Sequence, residues 1–395
     1  MTSRNTGRLF AGVIAAWLLL AVSAYAEDLP ERKLIAVEGQ GYLETVGGYR
    51  VLHLEGTPAE MGYQHGVLLG DAVRKNIEYM LDDRPGEELR LGKLTVPRKL
   101  LAGLLNQAFE ERVPERFVTE MDALAEGAGL PAWQVKAANL IPEAFHCSGF
   151  ALLETVTATG ELYHGRVLDY AVNSHLQDHA VLILQKPDGR HPFANVSYAG
   201  FIGSVTGMNR SKISIGEMGG GGVGRWDGVP MSFLVRMVLE EAGSLEEAIA
   251  VFAENPRTCE YYYVIADGAA NSAVGMRATS DVLELVRPGE AHSLLKSPVD
   301  DTVLLSAGDR YGNLSRLVAE RHGTFTRQSA LRLMDAPVAM KANLHNALMV
   351  PAAGEIFVAN ASPEGEPAWQ QTYHHFDLDR LLGERPAGKT VTDGE

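Results

Sequence analysis

The stretches that decide the fold are residues 145–150, which read FHCSGF, and residues 164–170, which read HGRVLDY. Strand-forming residues fill the interval between them, and a Thr-Gly pair at 159–160 marks a tight turn. The pattern predicts a β-hairpin, because strands joined by so short a turn run antiparallel. The outer ends of the two stretches should therefore lie side by side.

One end of the predicted hairpin gathers three reactive side chains. Pairing residues whose numbers sum to about 319 returns Asp169 to the end that carries Cys147 and leaves Arg166 one strand step further along. A free cysteine has a pKa of about 8.5, which a nearby guanidinium lowers by favouring the thiolate. Asp169 could fix the arginine or accept a hydrogen bond from an ammonium group. The arrangement is typical of nucleophilic catalysis, although Arg166 and Asp169 could also form a structural ion pair that closes the hairpin.

Upstream of the hairpin, residues 27–146 are predicted to be mostly helical. Thr57 is the expected N-cap of the first helix, and an acidic, glycine-bearing loop follows that helix. The predicted helices cover residues 58–81, 98–112, 115–128 and 131–140. Cys147 therefore lies where helix gives way to strand.

Downstream of Cys147, short strands rich in β-branched and aromatic residues take over, with two pairs of helices among them. The predicted strands cover 150–157, 161–168, 180–185, 194–198, 213–218, 261–266, 274–278, 283–286, 347–350 and 355–358. The predicted helices cover 232–242, 245–253, 313–321 and 327–334. This order predicts an α+β sandwich with helices outside the sheets.

The hairpin offers no obvious separate base for the Cys147 thiol. A cysteine that becomes a new chain terminus brings its own α-amine, whose pKa is about 7.7–8.0. Such an amine is partly neutral at pH 7 and can take the thiol proton directly or through water. Scission of the peptide bond between His146 and Cys147 would supply it.

These residues resemble the cysteine-type N-terminal-nucleophile (Ntn) hydrolases. Residues 147–150, CSGF, followed by the HGRVLDY stretch are similar to the family pattern of a nucleophilic cysteine and, after one hairpin, G-R-x-x-D. Three further stretches, 62–66 (GYQHG), 207–209 (GMN) and 345–348 (HNAL), resemble the group related to acyl-CoA:6-aminopenicillanic acid and isopenicillin N acyltransferases, called peptidase family C45.

The resemblance spans about residues 51–376 and implies a four-layer αββα Ntn-hydrolase sandwich preceded by a helical pro-segment. It implies that Cys147 is the nucleophile and that Arg166 and Asp169 are its charged partners. It also implies that the precursor cuts itself between His146 and Cys147. The expected activity is cleavage or transfer of acyl groups at the C–N bond of small N-acylated amides.

The domain organisation expected from this resemblance has three parts. Residues 1–26 form a signal peptide, residues 27–146 a helical pro-segment, and residues 147–395 the catalytic domain. After self-cleavage the pro-segment is expected to stay bound as a non-covalent subunit.

One departure from the family pattern concerns the oxyanion hole. The family often supplies an asparagine from a T-N segment, whereas residues 305–309 here read LSAGD. Backbone N–H groups of Gly219 and Gly220 are predicted donors instead, because glycine lets the main chain approach an acyl oxygen closely. Tyr198 and Trp226 are candidates for the wall of an apolar acyl pocket, or equally for core positions.

The N-terminus has the pattern of a cleavable secretory signal. Arg4 and Arg8 precede an apolar run at 9–22, which ends in small residues at 24–26. The run is shorter than the roughly 18 residues of a membrane span, although an uncleaved anchor is the alternative. We expect a periplasmic or extracellular protein without a membrane span. Its formal net charge of −15 disfavours nucleic acid and anionic lipid as partners.

Two cysteines, Cys147 and Cys259, are present, so the chain is not a disulfide scaffold. A cross-link between them is an alternative that would silence Cys147, and Cys259 is otherwise expected to be buried and inert. No cysteine and histidine spacing suits structural zinc. Because His345, His374 and His375 lack carboxylates at ligand spacing, no metal or other cofactor is expected.

Two alternatives to self-cleavage stay open. The chain could remain intact, with Cys147 paired to a histidine such as His164, as in a cysteine protease. It could also be a periplasmic binding protein that kept an Ntn fold but lost catalysis. Both alternatives predict one long chain on a gel, whereas self-cleavage predicts two pieces.

Overall fold

A computed structural model of the chain describes residues 30–82, 89–91, 94–100, 103, 111–140, 146–170, 172, 175–220, 225, 227–383 and 385–387. The predicted signal peptide and Trp226 lie outside these residues, as does most of the helix predicted at 98–112. None of the helices in the described part of the chain has the length and apolar character that a membrane crossing needs.

The larger of the two main sheets has ten strands. In sheet order they are β1 (Arg32–Glu38), β2 (Gly41–Val46), β3 (Tyr49–Gly56), β8 (Ala180–Pro187), β9 (Phe193–Tyr198), β10 (Thr206–Asn209), β11 (Ile213–Gly219), β12 (Tyr261–Asp267), β13 (Ser272–Ala278) and β14 (Leu283–Val286). All neighbours are antiparallel except β3 and β8, which are parallel. This parallel pair joins the chain before Cys147 to the chain after it.

The smaller main sheet has six strands, all antiparallel to their neighbours, and contains the hairpin of Cys147. In sheet order they are β15 (Thr302–Leu305), β6 (His146–Glu154), β7 (Gly160–Asp169), β16 (Asn343–Val350), β17 (Glu355–Asn360) and β18 (His374–Asp377). A separate two-stranded sheet pairs β4 (Leu89–Leu91) with β5 (Leu94–Val96).

Nine α-helices fall within the described residues. They are α1 (Pro58–Leu68), α2 (Gly70–Leu81), α3 (Glu115–Ala128), α4 (Ala132–Leu140), α5 (Met231–Glu241), α6 (Leu245–Glu254), α7 (Asp309–Glu320), α8 (Arg327–Leu333) and α9 (Leu378–Leu381). The predicted N-cap Thr57 forms a capping box with Glu60, which satisfies backbone N–H groups at the start of α1.

The layers run helix, sheet, sheet, helix, because the central strands of both sheets bury both of their faces. On β12, Tyr263 packs toward α5 and α6, whereas Val264 lies in the cluster between the two sheets. On β6, Cys147 belongs to that same inter-sheet cluster, whereas Phe150 packs with α7 and α8. The predicted four-layer αββα sandwich is confirmed.

The prediction that residues 27–146 are helical is wrong for residues 32–56, which form β1, β2 and β3. Gly47 and Gly48 both have positive φ and turn β2 into β3, a conformation that glycine adopts without strain. The helix predicted at 58–81 is two helices, since the backbone at Leu69 leaves the helical region.

The predicted hairpin is present, but its register differs from the predicted one. Cys147 pairs with Leu168, and Gly149 pairs with Arg166. The strands shift because the chain turns over residues 155–159 rather than at a two-residue turn, and a β-bulge follows Leu152. Asp169 nevertheless lies at the same end of the hairpin as Cys147, as predicted.

Candidate functional site

Cys147 is the second residue of β6 and faces the larger sheet, with 5% of its surface exposed. The sheets approach closely here, since a Cβ added to Gly149 would come within 2.7 Å of Met218 Sδ. The backbone N–H of Gly219, at the end of β11, lies close enough to the Cys147 sulfur to lower the pKa of that thiol, and both residues line the same cavity. The predicted nucleophile and one predicted oxyanion donor therefore lie close together.

The surroundings of Cys147 keep its thiol protonated in the continuous chain. Burial raises the pKa of Cys147 to about 11, and the charge of Arg166 opposes this shift. Glu217 and Asp169 raise the pKa further, whereas the Gly219 N–H lowers it. Because the thiolate is the nucleophile, this cysteine needs a base to react at neutral pH.

Arg166 is fully buried and lies over Gly216 of β11. A Cβ at position 216 would come within 2.7 Å of Arg166 Cγ, so the glycine makes room for the arginine. Arg166 Nη2 lies 3.5 Å from Glu217 Oε2, and its Nε and Nη1 have no hydrogen-bond partner among the described residues. Burial raises the pKa of Glu217 to about 7, and Arg166 opposes that shift. A carboxyl that titrates near neutrality therefore lies within electrostatic reach of Cys147.

Sequence reasoning missed Glu217 as a site residue. A signal was available, because β11 reads ISIGEMG and every other member is apolar or small. A carboxylate in a strand that is buried on both faces is costly unless it has a partner or a function.

Asp169 is also buried, but its carboxylate bonds to residues other than Arg166. Arg310 Nη1, on α7, donates to Asp169 Oδ2 at 2.7 Å, and the N–H of Met340 donates to Oδ1 at 3.0 Å. Burial raises the pKa of Asp169 to about 6, with those bonds and the charge of Arg166 opposing the shift. The expectation that Asp169 fixes Arg166 is therefore corrected: Arg310 is the ionic partner of Asp169, and Glu217 is that of Arg166.

A cavity of about 400 Å³ opens beside the Cys147 sulfur between the two sheets and α7. Its apolar wall consists of Met218, Tyr262, Met276, Val286, Leu294, Leu295, Leu305 and Tyr311. Its polar lining includes Ser306, Arg310, Arg277 and His292. Arg277 forms ion pairs with Glu260 and Glu284, and its Nε lies 2.6 Å from Glu260 Oε1. The cavity can thus accept an apolar acyl group with few polar groups near the sulfur.

Tyr198 and Gly220, two other predicted site residues, do not line this cavity. The Tyr198 hydroxyl lies 2.8 Å from His345 Nδ1 in the buried core between the sheets. Gly220 packs against the residue that precedes β12, because a Cβ there would come within 2.0 Å of the carbonyl oxygen of Glu260. His146 begins β6 opposite Asp169, whereas Trp226 lies outside the described residues.

His164 is not placed to act as a base for Cys147. It pairs with Ala151, four residues along β6 from Cys147, which is roughly 13 Å at ~3.3 Å per residue. Its Nδ1 lies 2.8 Å from Ser214 Oγ, and burial lowers its pKa to about 3. This geometry disfavours the alternative of an intact chain with a Cys147–His164 pair.

Cys147 and Cys259 both carry free thiols, so the alternative cross-link is not formed. Cys259 is buried, as predicted, and its thiol donates to the Tyr261 hydroxyl at 3.4 Å. Across the described ranges, no group of three or more His, Cys, Asp or Glu side chains is arranged to hold a metal ion.

Comparisons with known proteins find similarity to enzymes of acyl-group chemistry. Residues 156–293 match the family model described as acyl-coenzyme A:6-aminopenicillanic acid acyl-transferase. Protein dcd1B of Dictyostelium discoideum is 25% identical over 380 residues, covering 85% of this chain and 75% of that protein. The N-acylethanolamine-hydrolyzing acid amidase of Rattus norvegicus is 24% identical over 223 residues, covering 53% of this chain and 57% of that protein.

Among solved structures, an N-acylethanolamine-hydrolyzing acid amidase ortholog of Caenorhabditis elegans is 18% identical with a TM-score of 0.41, covering 52% of this chain and 93% of that one. The chain spans little more than half the length of the rat amidase. The resemblance to acyl-transferases drawn from the sequence is confirmed by the family model that residues 156–293 match, and the rat relative is by name an amide-hydrolysing enzyme.

Proposed function

We propose that this protein hydrolyses or transfers the acyl group of small N-acylated amides through Cys147. The observation that carries the proposal is the position of Cys147, which lines a mostly apolar cavity of about 400 Å³ together with Gly219. A backbone N–H beside the nucleophile is suited to an acyl oxygen that gains negative charge. The charge of Arg166 favours the thiolate form once a base is available.

The base in this proposal is the α-amine of Cys147, freed by self-cleavage. In the precursor, the thiol attacks the carbonyl carbon of His146, and the acyl group moves from nitrogen to sulfur. Water then hydrolyses the thioester, which leaves a carboxylate on His146 and a free amine on Cys147. In the mature enzyme this amine takes the thiol proton and returns it to the leaving amine, and water or an acceptor amine resolves the acyl-enzyme.

The segment before the cut should stay bound as a subunit. Support comes from the pairing of β3 with β8 and from buried hydrogen bonds across the same boundary. The Asn139 side chain bonds the Gly200 carbonyl and the Ile202 N–H, both at 2.9 Å. The N–H of Gly200 also donates to His65 Nε2 at 3.1 Å. These contacts bury polar groups that would be left unpaired if the segment departed.

Export completes the proposal. The signal-like residues 1–26 support a periplasmic or extracellular enzyme that matures after export, and its acidic surface suits a small-molecule substrate rather than nucleic acid. Fractionating the expressing cells and sequencing the first residues of the exported protein tests this part. A cytoplasmic protein that keeps residues 1–26 would contradict it.

The central test compares wild-type protein with Cys147→Ala and with Cys259→Ala as the matched cysteine control. We expect the wild type and Cys259→Ala to show two pieces on a gel, one starting at Cys147, and Cys147→Ala to stay as one chain. All three are then assayed with N-acyl amino acids, β-lactams and acyl amides. Full activity in Cys147→Ala, or in wild-type protein whose residue 147 is still linked to His146, would overturn the proposal.

A further inference from the structure

We propose that the Ser306 hydroxyl donates the side-chain hydrogen bond that stabilises the oxyanion formed when Cys147 attacks an acyl carbonyl. This inference rests on the proposed acyl-transfer function and assigns a side-chain donor within residues 305–309, the region from which the family often supplies an asparagine. Ser306 directly follows β15, in which Leu305 pairs with Gly149 of β6. Ser306 and Cys147 both line the cavity.

The proton of Ser306 is directed by a chain of hydrogen bonds that starts at Arg310. A guanidinium can only donate, so Ser148 Oγ accepts from Arg310 Nη1, at 3.3 Å. Ser148 Oγ lies 2.7 Å from Ser306 Oγ. Since Ser148 already accepts from Arg310, its own proton can go to Ser306 Oγ. The Ser306 proton is then free to point into the cavity.

This series of hydrogen bonds also makes the Ser306 hydroxyl a stronger donor. Each hydroxyl that accepts from a cationic donor becomes a better donor itself, because hydrogen bonds in series polarise one another. Arg310 Nη1 donates to Asp169 Oδ2 at 2.7 Å, so the first donor of the hydrogen-bond series is fixed. A pre-oriented donor needs little reorganisation when charge develops on the substrate, which is the property that an oxyanion hole requires.

Ser306 would complete a pair with the Gly219 N–H. Gly219 ends β11, in the larger sheet, whereas Ser306 follows β15 in the smaller one. One donor therefore comes from each sheet, and both line the cavity that would hold the acyl group. One backbone and one side-chain donor make a common oxyanion hole.

The test measures acylation of Cys147 by p-nitrophenyl butyrate, with the product located by mass spectrometry. Because Ser306 would act in the transition state, Ser306→Ala should lower kcat/KM about 10²–10³-fold and leave KM within roughly twofold. Ser306→Thr keeps a hydroxyl and should retain most activity, whereas the nearly isosteric Ser306→Val should behave like Ser306→Ala. Ser315→Ala is the control, because Ser315 is a buried serine of α7 that bonds the Ser297 carbonyl, away from the cavity lining.

The outcomes separate this inference from the function on which it rests. If wild-type Cys147 is acylated and Ser306→Val reacts as fast as Ser306→Thr, Ser306 is not the donor, and the proposed function stands. If wild-type Cys147 is not acylated by the ester, the proposed function and the inference fail together. A fall in activity shared equally by the Thr and Val variants would assign Ser306 a packing role and also overturn the inference.

Discussion

Replacing Glu120 with alanine should destabilise the fold by about 3–5 kcal/mol, because removing one member of a buried ion pair leaves an uncompensated charge. Glu120 on α3 is 1% exposed and accepts from Arg236 Nη1 and Nη2 at 2.9 and 2.6 Å. Arg236 on α5 is fully buried. After the substitution it keeps Glu240, at 2.9 Å, and the Ile202 carbonyl, at 2.8 Å. Since Glu240 still compensates part of the charge, we expect the lower half of the range.

Thermal unfolding measures this loss. With an unfolding entropy of about 2.1 cal/mol/K per residue, 3–5 kcal/mol corresponds to a fall in Tm of roughly 4–6 °C for a chain of this size. Glu241→Ala is the matched control, since Glu241 is 31% exposed and its bonds to Arg116 and Arg190 are worth about 1 kcal/mol or less each.

A double variant checks the cause. Replacing Glu120 by methionine and Arg236 by leucine together removes both buried charges. The double variant should therefore lose less stability than the sum of the losses in Glu120→Met and Arg236→Leu. An equal Tm for Glu120→Ala and Glu241→Ala would refute the reasoning, because it would mean that the buried pair contributes no more than a surface pair.

Three further predictions follow from buried groups. Glu217→Gln removes a charge that raises the pKa of Cys147, so Cys147 should alkylate several-fold faster at pH 8 and at an unchanged rate at pH 5. An equal gain at both values would exclude an electrostatic cause. Gly165→Ala places a Cβ 2.1 Å from the Phe150 ring and should cost about 1–3 kcal/mol in denaturant unfolding; a stability unchanged from wild type would contradict this packing. Burial lowers the pKa of His65 to about 3, below its unfolded value of about 6.5, so its contribution to stability is complete above pH ~6.5 and is lost as the pH falls toward 3. Between pH 7 and 5 the free energy of unfolding of His65→Gln should therefore fall by about 2 kcal/mol less than that of the wild type. Equal falls would refute the lowered pKa of His65.

The hairpin was predictable from the sequence because its evidence is local. Strand propensity, a turn and alternating burial lie within one continuous stretch, and they place Cys147 and Asp169 at the same end. The exact register was not predictable, since it depends on a bulge after Leu152 and on the bridge between Thr157 and Phe325. That bridge joins positions that are remote in the chain.

The charged partners around the thiol were less accessible to sequence reasoning for the same physical reason. Arg310 bonds Asp169 across 141 positions of the chain, and Glu217 meets Arg166 across 51. Spacing along one hairpin suggested that Arg166 and Asp169 would pair with each other. The second sheet and α7 each supply a closer partner, and their positions are fixed only by tertiary packing.

The charges around Cys147 are balanced in two separate pairs, and this balance bears on how the thiol could react. Glu217 offsets the charge of Arg166, and Asp169 offsets that of Arg310. A thiol beside an unpaired cation would be a stable thiolate, whereas here burial dominates and the pKa lies near 11. The cut itself can proceed slowly from this mostly protonated thiol, because the His146 carbonyl is held next to the sulfur and a single turnover suffices. Repeated turnover of separate substrates needs a base, and the proposed α-amine would supply it after the cut without any rearrangement of these four side chains.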